Sequence, residues 1–115
     1  MKEKKRHLTS VEKRRIKSIL RRELSKRPEI LFAYLHGSFL LPVPCGDVDV
    51  AVYLEKDAAG PHTWEYEAEL GASLEPLAGI PVDVLVLNRA PVALRYHATR
   101  GQVLYSRDEE ARVTF

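Results

Sequence analysis

The stretch Gly37-Ser38-Phe39-Leu40-Leu41-Pro42-Val43-Pro44-Cys45-Gly46-Asp47-Val48-Asp49-Val50-Ala51-Val52 sets a Gly-Ser turn ahead of a strand that carries two aspartates. Successive side chains of a strand point to opposite faces. Asp47 and Asp49 therefore share one face, while Val48, Val50 and Val52 share the other and reach a core. Two carboxylates on one face repel each other, and a cation between them relieves the repulsion. An all-oxygen ligand set suits a hard divalent ion such as Mg²⁺. The backbone N–H groups and hydroxyl of a Gly37-Ser38 turn suit a phosphate. Metal beside phosphate is the chemistry of phosphoryl and nucleotidyl transfer.

A third carboxylate extends the pattern. Ile80-Pro81-Val82-Asp83-Val84-Leu85-Val86-Leu87-Asn88 reads as a second buried strand, rich in β-branched residues and interrupted by Asp83. If this strand lies beside the Asp47 strand, Asp83 joins the same cluster. Three carboxylates are enough to hold two metal ions, which in such sites stand roughly 3.5–4 Å apart.

The ordered set Gly37, Ser38, Asp47, Asp49 and Asp83 resembles the minimal nucleotidyltransferase (MNT) domains of the DNA polymerase β superfamily. The resemblance spans about residues 30–107 and includes Arg100-Gly101-Gln102-Val103-Leu104-Tyr105-Ser106, which looks like that family's final strand. It implies that Asp47, Asp49 and Asp83 are catalytic metal ligands for two Mg²⁺ ions. It also implies that Gly37 and Ser38 bind nucleotide phosphates and that a nucleoside monophosphate, AMP from ATP, passes to an acceptor hydroxyl. Many free-standing members of this family act as antitoxins beside a helical HEPN toxin, so the resemblance implies a HEPN-type protein partner carrying the acceptor. The chain departs from the family in the loop Phe39–Cys45, which holds no cation where relatives commonly carry one.

The 115 residues fit one domain, expected to comprise a basic helix at about 9–27 and a catalytic core at about 30–107. No apolar run is long enough to span a membrane, and the start Met1-Lys2-Glu3-Lys4-Lys5-Arg6 is unlike a signal peptide. The single cysteine, Cys45, excludes an internal disulfide framework and reads as a small loop residue. A cytoplasmic protein is expected.

Charge is uneven. Residues 1–27 hold twelve Lys/Arg against three Glu, and residues 28–115 hold six Lys/Arg against thirteen Asp/Glu. A basic arm suits an acidic partner or nucleic acid, although a solvated helix face explains it as well.

Thr9-Ser10-Val11-Glu12 is a capping-box pattern, and Ile16, Ile19, Leu20 and Leu24 follow at helical spacing, with Pro28 closing the helix. Ile30–His36 reads as the first and central strand, antiparallel to a second over Asp47–Leu54. Residues 62–77 read as a helix with Trp64, Ala68, Leu70, Leu74 and Leu77 on or near its packed side, and Trp64 as a core anchor. A short helix from Pro91 to about Thr99, a last strand at Val103–Ser106 and a patternless tail at Asp108–Phe115 complete the order α-β-β-α-β-α-β. This is an α/β (α+β) arrangement, a small mixed sheet with helices packed on it.

His36, at the end of an apolar strand, reads as a packed side chain. Arg89, Arg95 and Arg100 follow the third strand and are either triphosphate contacts or surface cations. Three functional classes stay open: a transferase, a catalytically inert module that neutralises a partner by forming a complex, and a nucleic-acid binder acting through residues 2–27. A homo-oligomer is compatible with all three.

Overall fold

A computed structural model describes residues 5–115, so Met1–Lys4 of the basic segment lie outside the described residues. The chain runs as helix α1 (Ser10–Ser25), strand β1 (Ile30–His36), a 3-10 turn (Gly37–Leu40), β2 (Val48–Leu54), α2 (Thr63–Ala78), β3 (Val82–Val86), α3 (Val92–Thr99), β4 (Gln102–Ser106) and α4 (Glu109–Thr114). The strands form one sheet in the order β3-β2-β1-β4. β1 is antiparallel to both β2 and β4, whereas β2 and β3 are parallel and joined by α2 as the crossover such a pair requires. The fold is the small mixed α+β sheet expected from the sequence.

α1 begins where the sequence sets it. Thr9 Oγ1 accepts from the Glu12 N–H at 3.0 Å, and Glu12 Oε1 accepts from the Thr9 N–H at 2.9 Å. Ile16, Leu20 and Leu24 then meet Leu70, Leu74 and Ala78 of α2 over Ala33, Leu35, Val48, Val50, Val52, Val84 and Leu104 on one face of the sheet. Burial of these side chains is the main source of stability, at about 1.5–3 kcal/mol for each large aliphatic residue.

A smaller core occupies the other face. Phe32, Tyr34, Ala51, Leu87 and Ala98 of α3 form it, with Ala111 of α4 packed against them. The strands are therefore covered on both sides, which is why Ala51, on the aspartate face of β2, is buried. Asn88 extends β2 by one rung. Its Oδ1 accepts from the Leu54 N–H at 2.9 Å and its Nδ2 donates to the Leu54 carbonyl at 2.8 Å.

The expectations for α2, the tail and Cys45 are revised. Trp64 is no core anchor: it is 64% exposed, in the first turn of α2, and stacks on His62 with ring centroids 6.1 Å apart. Ala68 and Leu77 are exposed too, because the buried stripe of α2 is Leu70, Gly71, Leu74 and Ala78. The tail is a helix, α4, capped by Asp108, whose side chain accepts from the Ala111 N–H at 3.0 Å. It sets Phe115 against Phe32 and Tyr53, with ring centroids 5.7 and 4.9 Å apart. Cys45 is more than a loop filler. It is fully buried, and its backbone forms an antiparallel bridge with Arg6. Among the described residues, no helix is long and apolar enough to cross a membrane.

Candidate active site

Sheet register assembles the site. His36 of β1 lies opposite Asp49 of β2, and Asp49 lies opposite Asp83 of β3. The three side chains thus form a row across adjacent strands on the face that carries the smaller core. Asp47 stands two residues before Asp49, and alternation returns it to the same face. One oxygen each from Asp47, Asp49 and Asp83 lies within 4.8 Å of the others.

The Gly-Ser turn is fitted to this row. β1 ends at His36, and Gly37 turns the chain with φ +78°, a left-handed conformation that favours glycine. A Cβ at Gly37 would stand 2.2 Å from Asp49 Oδ2. Glycine is needed there both for the backbone and for the space that the carboxylate fills. Ser38 is the second residue of the 3-10 turn, and its carbonyl accepts from the Leu41 N–H at 3.0 Å.

Electrostatics mark Asp49 as the stressed member of the cluster. Partial burial, then the Asp47 and Asp83 carboxylates, push its pKa up to about 6, and His97 acts in the opposite direction. Such a group is held against its own neighbours' charge. Three oxygen donors at this spacing, short of positive charge, fit a hard divalent cation.

Two further groups adjoin the row. His97 of α3 meets His36 edge-on, with ring centroids 5.7 Å apart and planes at 90°. Burial, then His97, lower the His36 pKa, against an upward pull from Asp83. Among the described residues, buried His36 Nε2 has no hydrogen-bond partner. His36 is thus a packed side chain, as its sequence position indicates, but one packed against the site. His97 is an exposed helical residue, and no sequence pattern distinguishes it.

The three candidate arginines have other engagements. Arg89 Nη1 donates to the Gly60 carbonyl at 3.0 Å, Arg95 lies over the Phe115 ring, and Arg100 bonds and stacks on Tyr96. A cleft of about 420 Å³ is lined by Tyr53, Leu54, Lys56, Asn88 and Arg89. It lies at the far end of β2 from the aspartates, a strand of about 20 Å, and is distinct from them.

The fold and the acidic row define a nucleotidyltransferase-type domain, and comparison with known proteins gives the family. The chain belongs to the family described as Polymerase beta, Nucleotidyltransferase, whose model matches residues 16–110. No curated protein sequence matches the chain. Among solved structures, the chain is similar to the toxin-antitoxin MntA-HepT, with TM-score 0.62 and 19% identity over 92% of this chain and 79% of that one. It is similar to a complex of tri-AMPylated Shewanella oneidensis HEPN toxin with MNT antitoxin, with TM-score 0.62 and 20% identity over 92% and 79% of the two chains. A toxin-antitoxin structure with AMP-PNP aligns with TM-score 0.58 and 21% identity over 88% and 78%. At these identities the likeness concerns the fold.

Proposed function

We propose that this protein is a metal-dependent nucleotidyltransferase that moves AMP from ATP to a hydroxyl of a helical HEPN-type partner and so acts as its antitoxin. The observation that carries this reading is the convergence of Asp47, Asp49 and Asp83 oxygens within 4.8 Å, beside a glycine whose missing side chain leaves room for Asp49. The family match supports the reaction class. The AMPylated HEPN toxin and the AMP-PNP complex among the similar structures support the nucleotide and the partner.

In this reading Asp47, Asp49 and Asp83 would hold two Mg²⁺ ions between them. The bound metal supplies charge neutralisation and acidifies the attacking hydroxyl. Gly37 and Ser38 receive the β- and γ-phosphates. Asp83, the exposed member of the triad, is open to an incoming acceptor and takes its proton. The acceptor oxygen then attacks the α-phosphate and pyrophosphate leaves. Most of the rate comes from positioning and charge complementarity. The test is incubation of the co-expressed pair with MgATP, followed by intact mass analysis of the partner. Gain of whole AMP units by the partner, absent with Asp49→Asn, is expected. An unmodified partner, inhibited equally well by the Asp49→Asn variant, would mean that this chain neutralises by complex formation alone. The uncharged, exposed Leu41-Pro42-Val43-Pro44 surface favours that second reading.

A further inference from the structure

The loop that follows Ser38 contains no cation, yet the fold brings one to it. Lys13 of α1 donates from Nζ to the Leu41 carbonyl at 2.9 Å and lies over the Phe39 ring, 5.5 Å from its centroid. Leu41 closes the 3-10 turn that Gly37 and Ser38 open, so about 6 Å of axial rise separates the Lys13 anchor from Ser38. A second contact ties the same segment to the basic arm. Arg6 and Cys45 exchange both backbone hydrogen bonds, at 3.2 and 3.0 Å, two residues ahead of Asp47. The basic N-terminal segment therefore holds the loop at both ends.

We propose that Lys13, from α1 rather than from the loop itself, supplies the positive charge that meets the triphosphate tail of the nucleotide. The inference rests on the nucleotidyltransferase reading above. Its physical basis is an unspent charge. The Leu41 carbonyl is a neutral acceptor and occupies one of three ammonium donors. Among the described residues no carboxylate forms an ion pair with Lys13. An ammonium that reaches the loop from a half-exposed lysine, and that has no carboxylate partner among the described residues, suits an anion arriving at the turn. Lys13 serves better than Arg6, whose charge lies within the field of Glu12.

The test compares MgATP affinity, by calorimetric titration of the full-length protein, for wild type, Lys13→Met, Lys13→Gln and Lys13→Arg. Methionine removes both the charge over the Phe39 ring and the donor to Leu41 while keeping an unbranched side chain, and glutamine keeps an N–H donor for the Leu41 carbonyl without the charge. Loss of about tenfold or more is expected in both, with Lys13→Arg close to wild type and all four melting alike. The affinity of wild type is also expected to fall more steeply with salt than that of Lys13→Gln. Wild-type affinity in Lys13→Gln would make Lys13 a pin for the loop only and overturn the inference. So would wild-type affinity in Lys13→Met. Failure of the wild-type protein itself to bind MgATP would instead remove the nucleotidyltransferase reading, and this inference with it.

Discussion

Gly37 and Asp49 are fitted to each other: the space a Gly37 side chain would fill is occupied by the Asp49 carboxylate, 2.2 Å from where its Cβ would be. The turn proposed to hold phosphate and the strand proposed to hold metal are thus locked at one point. Gly37→Ala must strain a left-handed backbone and displace Asp49. It is expected to cost roughly 1–3 kcal/mol in folding stability and to remove Mg²⁺-dependent nucleotide binding. Thermal melts with and without MgATP would show both effects, and an unshifted melting temperature would contradict the fit.

Asp49 also links function to stability through pH. Its carboxyl titrates near 6 in the folded protein against an ordinary value of 3.8. Between those values the folded state binds more protons than the unfolded one, so metal-free stability falls as pH rises from about 4 to 6 and stays reduced above. Asp49→Asn removes that slope. It is expected to make the metal-free protein more stable at pH 7, by about 1 kcal/mol, because water screens a half-buried site. The same variant is expected to lose transfer. Denaturant unfolding of both proteins at pH 4 and pH 7 tests this, and a variant less stable than wild type at pH 7 would contradict it.

Replacement of Asp83 tests whether binding and chemistry are separable. Two of its neighbours, Val82 and Val84, are buried in the main core while its own side chain is exposed, so Asp83→Asn leaves the fold intact. With its proposed role as base for the acceptor hydroxyl, kcat is expected to fall by about 10²-fold or more, with a smaller change in KM for ATP. A loss confined to KM would assign Asp83 to nucleotide binding alone.

Trp64 and Leu74 test the packing. Trp64→Ala is expected to change stability by less than about 0.5 kcal/mol. Leu74→Ala, at a buried position between α2 and the sheet, is expected to cost about 2–5 kcal/mol. Denaturant midpoints give both values, and a costly Trp64→Ala would return that side chain to the core.

The acidic row and the fold class were legible in the sequence because both rest on local pattern. Alternation puts Asp47 and Asp49 on one face, and the apolar run around Asp83 marks an adjacent strand, which the Asp49–Asp83 register bears out. Periodicity does not say how one element docks on another. α1 carries cations along its whole length, and only its packing through Ile16, Leu20 and Leu24 selects Lys13 to meet the loop. His97 became a neighbour of His36 because α3 crosses the sheet face, which no spacing within α3 announces. Trp64 departs from the rule that large aromatic residues are usually core, because the buried stripe of α2 is set by Leu70, Leu74 and Ala78. The tail shows no pattern in the sequence because a six-residue helix has too few turns to display a period. Its Asp108 cap was the available sign.

The most direct test of the central claim is calorimetric titration of the purified protein with ATP, with and without Mg²⁺, beside Asp49→Asn. Binding that requires Mg²⁺ and weakens in the variant is the predicted result, and it would establish the Asp47–Asp49–Asp83 row as a metal–nucleotide site. Absence of binding in both proteins, or equal binding in both, would contradict it.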